Sequence, residues 1–215
     1  MKSVCESLHR YFNSLTRHRF PFREPFIPTN GLYLLFEKGE KGHGVDRIVR
    51  VGTHTGKDQL KKRLKQHFLN ENKDRSIFRK NIGRAILNKR NDAFIEFWEL
   101  NLASRKSRQN AGDGVDLILQ KGVEEKVSER IRGDFSFVVI PECDKEKRLH
   151  LESRIISSVS LCPECKPSRN WLGQWSPKDK IKHSGLWLVN ELYKTPFSKK
   201  ELDTFLKKYR SSNQS

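Results

Sequence analysis

Two residues one helical turn apart give the first sign of chemistry. Arg63 and His67, in Leu60-Lys-Lys-Arg-Leu-Lys-Gln-His-Phe68, are spaced i, i+4 and share a helix face. On a wheel of about 100° per residue with Leu60 at zero, Leu64 and Phe68 fall at about 40° and 80°. His67 and Arg63 fall at about −20° and −60°, flanking the apolar stripe where the edge of a cleft would lie. A solvated arginine beside a boundary histidine is the plainer reading of the same spacing. Glu152 is a second such residue. In a helix over 147–161 with Leu149 at zero, it falls at about 300°, inside the arc of about 200–340° made by Leu151, Ile155, Val159 and Ile156. Desolvating a lone carboxylate is costly, so Glu152 requires either a metal ion or an internal arginine. Third, Cys162-Pro-Glu-Cys165 has the spacing of half a zinc site. No second pair accompanies it, since Cys5 and Cys143 stand alone, so free thiols in a turn are the expectation.

Charge narrows the class of partner. The 215 residues carry 43 Lys and Arg against 26 Asp and Glu, a formal charge of +17, which points to a polyanion and first to nucleic acid. Between Lys57 and Arg90 there are 12 basic and 3 acidic residues, so +9 of the total sits beside Arg63 and His67. Phosphate contacts there would add salt-dependent affinity. Two solvated helix faces are the alternative. No window of about 18 apolar residues exists to span a membrane. The first residues, MKSVCESLHRYFN, lack the apolar stretch of a secretory signal, so an intracellular, cytoplasmic location and reduced thiols are expected. With 35% apolar and 10% aromatic residues, the chain has enough to build a core.

The elements that must position these residues follow from pattern. A helix is expected from Val4 to Leu15, then a stretch broken by Pro21, Pro25 and Pro28 that lies over a core. Gly31–Phe36 and Arg47–Val51 read as strands, joined by a loop over 37–46 that holds three glycines. Helices are predicted over 57–69 and, with Ser76 as N-cap, over 76–87. A strand over 93–100, a polar loop over 101–121, a helix over 123–131 and a strand over 135–140 come next. After the 147–161 helix, residues 162–178 are turn-rich, and two further helices are predicted over 186–193 and 198–209. The last residues, RSSNQS, read as frayed.

In that frame the chain resembles the GIY-YIG nuclease family. Gly31-Leu32-Tyr33 stands for the first motif and Arg50-Val51-Gly52 for the second, Arg63 and His67 for the helix pair, Glu152 for the glutamate, and Asn170 in SRNWLG for a late asparagine. The match covers about 31–173. It departs from the family at Arg50, which stands in place of the second tyrosine, and in a longer segment between Tyr33 and Arg50. The resemblance implies an α+β fold, with a small mainly antiparallel sheet flanked by helices. Its expected parts are an N-terminal extension over 1–28, a nuclease core over 29–173 and a C-terminal helical segment over 174–215.

The resemblance also implies a metal-dependent DNA endonuclease that hydrolyses phosphodiester bonds. Tyr33 or His67 would take a proton from water. Arg50 would favour the Tyr33 phenolate, and Arg63 would bind the scissile phosphate. Glu152 would hold one Mg²⁺ or Mn²⁺, and Asn170 would orient the phosphate. Lys61, Lys62, Lys65, Arg79, Lys80 and Arg84 are the expected DNA contacts, and a homodimer is one route to a double-strand break. The missing second tyrosine leaves an alternative, a nucleic-acid-binding module of the same fold with weak or no cleavage.

Overall fold

The computed structural model describes residues 3–103 and 116–211. Four antiparallel strands form one sheet in the order β1-β4-β2-β3: β1 (His18–Arg19), β2 (Gly31–Gly42), β3 (Val45–Gly52) and β4 (Phe135–Pro141). Eight α-helices lie around it among the described residues: α1 (Val4–Asn13), α2 (Leu60–Phe68), α3 (Ile77–Lys89), α4 (Ile95–Glu99), α5 (Leu117–Asp134), α6 (Lys145–Ser160), α7 (Asp179–Ser184) and α8 (Lys199–Ser211). None is long and apolar enough to cross a membrane. The architecture is α+β, as the sequence predicts.

Strand pleating explains how one short sheet supports two cores. Successive residues of β2 point to opposite faces. Leu32, Leu34 and Phe36 join a cluster with Leu8 and Phe12 of α1, Ile155 and Val159 of α6, and Phe205 of α8. Tyr33 and Leu35 join a second cluster with Leu60 and Leu64 of α2, Phe78 and Ile82 of α3, and Val127 of α5. With both faces covered, β2 reads as a continuous apolar run rather than an alternating one.

Several elements differ from expectation. The 37–46 segment is no loop: β2 and β3 run on as a ribbon to a tight turn at His43-Gly44, with φ of 54° and 77°. Positive φ at both central residues is the turn that matches strand twist. The expected strand over 93–100 is the short helix α4. There Trp98 is clamped against Gly83, where a Cβ would lie 2.3 Å from the indole, and its Nε1 donates to Lys80 O at 3.0 Å. The expected helix over 186–193 is irregular chain. Trp187 N donates to Val49 O at 2.7 Å, and its indole donates to Glu37 at 2.9 Å, so tertiary bonds replace helical ones. In the 101–121 segment, 104–115 lie outside the described residues and 117–121 begin α5, as do residues 212–215 lie outside at the other end. Buried Glu37 also accepts from Trp171 Nε1 (2.7 Å) and Arg130 (2.7 Å), tying β2 to the turn-rich segment and to α5.

Candidate active site

The two central strands bring the motif residues together. Tyr33 pairs with Gly52 and Leu35 with Arg50 across β2 and β3, so Tyr33 and Arg50 share a sheet face. The next pair is Phe36 with Ile48, which leaves Val49 as one extra residue, a β-bulge. Val49 packs in the same cluster as Leu35, so the simple alternation expected around Arg50 is broken. Bulges re-aim side chains in this way. The Arg50 guanidinium donates to the Trp187 carbonyl and lies 5.3 Å from the centre of the Phe78 ring. Gly52 is required where it stands, since a Cβ there would lie 2.3 Å from the Tyr33 hydroxyl.

Helix α2 adds His67 and Arg63. His67 is wholly buried, with Nε2 at 2.7 Å from the Tyr33 hydroxyl and Nδ1 at 2.7 Å from the hydroxyl of Ser76, the N-cap of α3. Burial first, then the charges of Arg63, Arg50 and Arg79, hold its pKa well below the ordinary histidine value. The ring is therefore neutral near pH 7, one nitrogen donating and the other accepting. Tyr33 is equally buried. Its hydroxyl is bonded to His67, which corrects the expectation that Arg50 is its direct partner.

The open part of the site is a cleft of about 470 Å³ lined by Arg50, Arg63, Glu152, Asn81 and Asn190 among others. Arg63 and Glu152 also border a second hollow of about 440 Å³, with Thr53, Lys62 and Gln66. Glu152 is half-buried on the α6 wall shared by both. Burial raises its pKa to about 7, against the opposing pull of Arg50, the Thr53 backbone amide and Arg63. Among the described residues it forms no ion pair within 4 Å, so the internal-arginine explanation of its position is not met by direct contact. One carboxylate with amide and hydroxyl oxygens nearby is a hard, all-oxygen donor set. It suits a divalent cation that keeps most of its waters.

Other expected residues lie elsewhere. Asn170 is exposed in the turn before Trp171 and borders neither hollow. The asparagines at the cleft are Asn81 and Asn190. Arg79 is wholly buried, bonded to Glu124 at 2.6 Å, to Ser128 at 2.8 Å and to His67 O at 3.1 Å. Arg84 pairs with Glu99 at 2.5 Å, and Lys80 donates to Glu99 O at 2.7 Å. These three face protein, which removes them as DNA contacts. Lys65 pairs with Glu24 at 2.9 Å, Lys61 is half-buried, and Lys62 is exposed at the second hollow. Asn190 escapes sequence reading because its segment is irregular. Asn81 had only a weak signal, a polar residue one turn beyond Ile77 and one turn before Arg84.

A glycine-initiated strand carrying a tyrosine, a second strand ending in glycine beneath that phenol, and a helix arginine beside a half-buried glutamate make one constellation. The family model of the GIY-YIG domain matches residues 14–215. The chain belongs to the GIY-YIG family. No curated protein and no solved structure shows significant similarity to it. GIY-YIG membership carries a nuclease function in the general sense and a nucleic acid as substrate.

Proposed function

We propose that this GIY-YIG protein is a divalent-metal-dependent endonuclease that hydrolyses phosphodiester bonds in DNA. The observation that carries the reading is the convergence of Arg50, Arg63 and Glu152, from a strand and two helices, on one polar cleft. Two guanidinium groups facing a carboxylate that lacks an ion-pair partner suit a phosphate and a cation bound side by side.

Hydrolysis needs water activated for attack, charge stabilised on the phosphoryl oxygens, and help for the departing 3′-oxygen. Arg63, at the edge of both hollows, binds the scissile phosphate and offsets its growing charge. Arg50, pinned by the Trp187 carbonyl, offers a second fixed guanidinium from the floor. Glu152 is the residue that would hold Mg²⁺ or Mn²⁺, with Asn190 as a further oxygen donor in the cleft and Thr53 as one in the second hollow. A divalent ion bound there supplies positive charge toward the leaving oxygen. In this reading Tyr33 relays the proton: its hydroxyl would take one from water while giving its own to neutral His67 Nε2 across the 2.7 Å bond, with Ser76 holding the ring through Nδ1. Lys62 steers the backbone. One cleft cuts one strand, so a duplex break needs a second copy of the chain or two successive cuts.

Supercoiled plasmid incubated with the protein and Mg²⁺ tests the proposal. Nicked and linear products with the wild type, none with Glu152→Gln, and equal DNA binding by both are expected. Binding without cleavage by the wild type in Mg²⁺ or Mn²⁺ would favour the non-cleaving binding module instead. Full cleavage by Glu152→Gln would remove Glu152 from the mechanism.

A further inference from the structure

At the end of α6 away from Glu152, four side chains remote in sequence meet. The ligand atoms of Cys5, His9, His43 and Cys165 all lie within 4.8 Å of one another. Cys162 Sγ is 3.5 Å from His43 Nε2, beside that group. Cys5 is in the first turn of α1, His43 is in the β2–β3 turn, and Cys162 and Cys165 follow α6. The backbone is shaped for the cluster. His43 adopts a φ of 54°, and a Cβ at Gly42 would lie 2.9 Å from Cys165 Sγ.

We infer that Cys5, His43, Cys162 and Cys165 form a structural zinc site. Tetrahedral Zn²⁺ with Zn–S of about 2.3 Å and Zn–N of about 2.0 Å requires S···N separations of about 3.5 Å. The Cys162–His43 separation has that value. Three thiolates and one imidazole are the soft, closed set of structural zinc. The choice of His43 over His9 follows from hydrogen bonding. His9 Nδ1 lies 2.9 Å from Cys5 O, and His9 Nε2 accepts from Ile48 N at 3.1 Å. His9 also borders the cluster, with Nε2 at 3.4 Å from Cys165 Sγ, but both of its ring nitrogens already hold backbone partners, so we assign it to support the outer strand β3 and leave the fourth ligand to His43. His43 turns Nε2 to the cysteines and Nδ1 toward Glu164 Oε2 at 3.5 Å, the carboxylate–histidine arrangement found around zinc.

The site would be structural rather than catalytic. Four protein ligands leave no open position, and Glu152 lies eight residues, about 12 Å of helix, before the α6 terminus that leads to Cys162. It clips α1 and the hairpin turn to the chain leaving α6. This inference stands apart from the nuclease reading, because neither needs the other.

Full-length protein purified without added metal and assayed by elemental analysis should hold one zinc per chain, released by a mercurial that titrates thiols. After removal of zinc, Co²⁺ should restore it with the visible absorption of tetrahedral thiolate cobalt. Chelation should lower Tm by ~10 °C or more. His43→Ala should lose zinc while His9→Ala retains it, and Cys143→Ser should behave as wild type. Wild-type protein that holds no zinc and takes up no Co²⁺ would overturn the inference. So would a Cys5 disulfide found by mass under non-reducing conditions, or zinc kept by His43→Ala and lost by His9→Ala.

Discussion

Helices α2 and α3 are adjacent, both strongly basic, and used in opposite ways. On α2, Arg63 and Lys62 face the cleft and its neighbouring hollow. On α3, Arg79 and Arg84 turn inward to Glu124 and Glu99, which come from α5 and α4. The difference lies outside both helices. An arginine is tolerated in a core when an acid from elsewhere in the chain meets it, and α3 is the helix sandwiched between such acids. A run of basic residues therefore marks excess charge without saying where that charge is spent. Of the 12 basic residues between Lys57 and Arg90, Arg79, Lys80 and Arg84 are held by protein acceptors.

The comparison breaks most visibly at Arg79. Arg79→Met leaves Glu124 buried and uncompensated, its pKa already raised by burial. Breaking one partner of a buried pair costs about 3–5 kcal/mol. Unfolding by denaturant should report that loss, with the double variant Arg79→Met/Glu124→Leu recovering most of it. An Arg79→Met protein of wild-type stability would mean that α3 carries its charge outward after all.

Arg63→Ala is the matching test on α2. It should leave stability within about 0.5 kcal/mol, as for a half-exposed residue with weak hydrogen bonds. Its cleavage rate in the plasmid assay should fall by about 10²–10³, as when one fixed donor to a developing charge is lost. Equal losses of stability and of rate would erase the distinction between the helices.

How much of this was legible beforehand follows the same divide. Local pattern sufficed for the apolar stripe of α2, the Ser76 cap of α3 and the run of β2, because each depends on neighbours within one element. The places of Tyr33, Arg63, His67 and Glu152 on regular elements were also readable, though only Arg63 and Glu152 border the open cleft, while Tyr33 and His67 are buried. Asn170 and Arg79 were not. Asn170 is placed by Trp171, whose indole is drawn to Glu37, 134 positions away in sequence. Arg79 is placed by Glu124, 45 positions on. The bulge at Val49 left no mark either, because it is fixed by the Trp187 amide. Cys5 looked solitary for the same reason: its companions are brought to it only by the packing of α1.

Glu152 sharpens the contrast through pH. A carboxyl raised from 4.5 to about 7 on folding binds a proton the unfolded chain has lost, so its contribution falls as pH rises from 4.5 to 7. Without divalent ions, wild-type unfolding free energy should therefore drop relative to Glu152→Gln between pH 5 and pH 8, by roughly 1–2 kcal/mol once partial solvent access is allowed for. Mg²⁺ competes with that proton, so added Mg²⁺ should raise wild-type Tm more at pH 8 than at pH 6 and leave Glu152→Gln unmoved. A Mg²⁺ effect equal in both proteins would place the ion elsewhere.

The smallest expected effect separates the two helices most directly. Each phosphate neutralised on duplex DNA contributes about −0.9 to the slope of log K against log salt. Lys62 is exposed beside Arg63, so Lys62→Ala should flatten that slope by about 0.9 and weaken binding modestly at low salt. Lys80 is half-buried, with its ammonium on Glu99 O at 2.7 Å and its pKa lowered chiefly by burial. It has no reach to a phosphate while that bond holds, so Lys80→Ala should leave the slope unchanged and register only as a small loss of stability. Measuring both slopes over one salt range with the same duplex keeps DNA length and counterion constant, so the difference reports the protein alone. Identical slopes for the two variants would mean that DNA does not distinguish α2 from α3, and the binding face would then have to be sought away from the cleft.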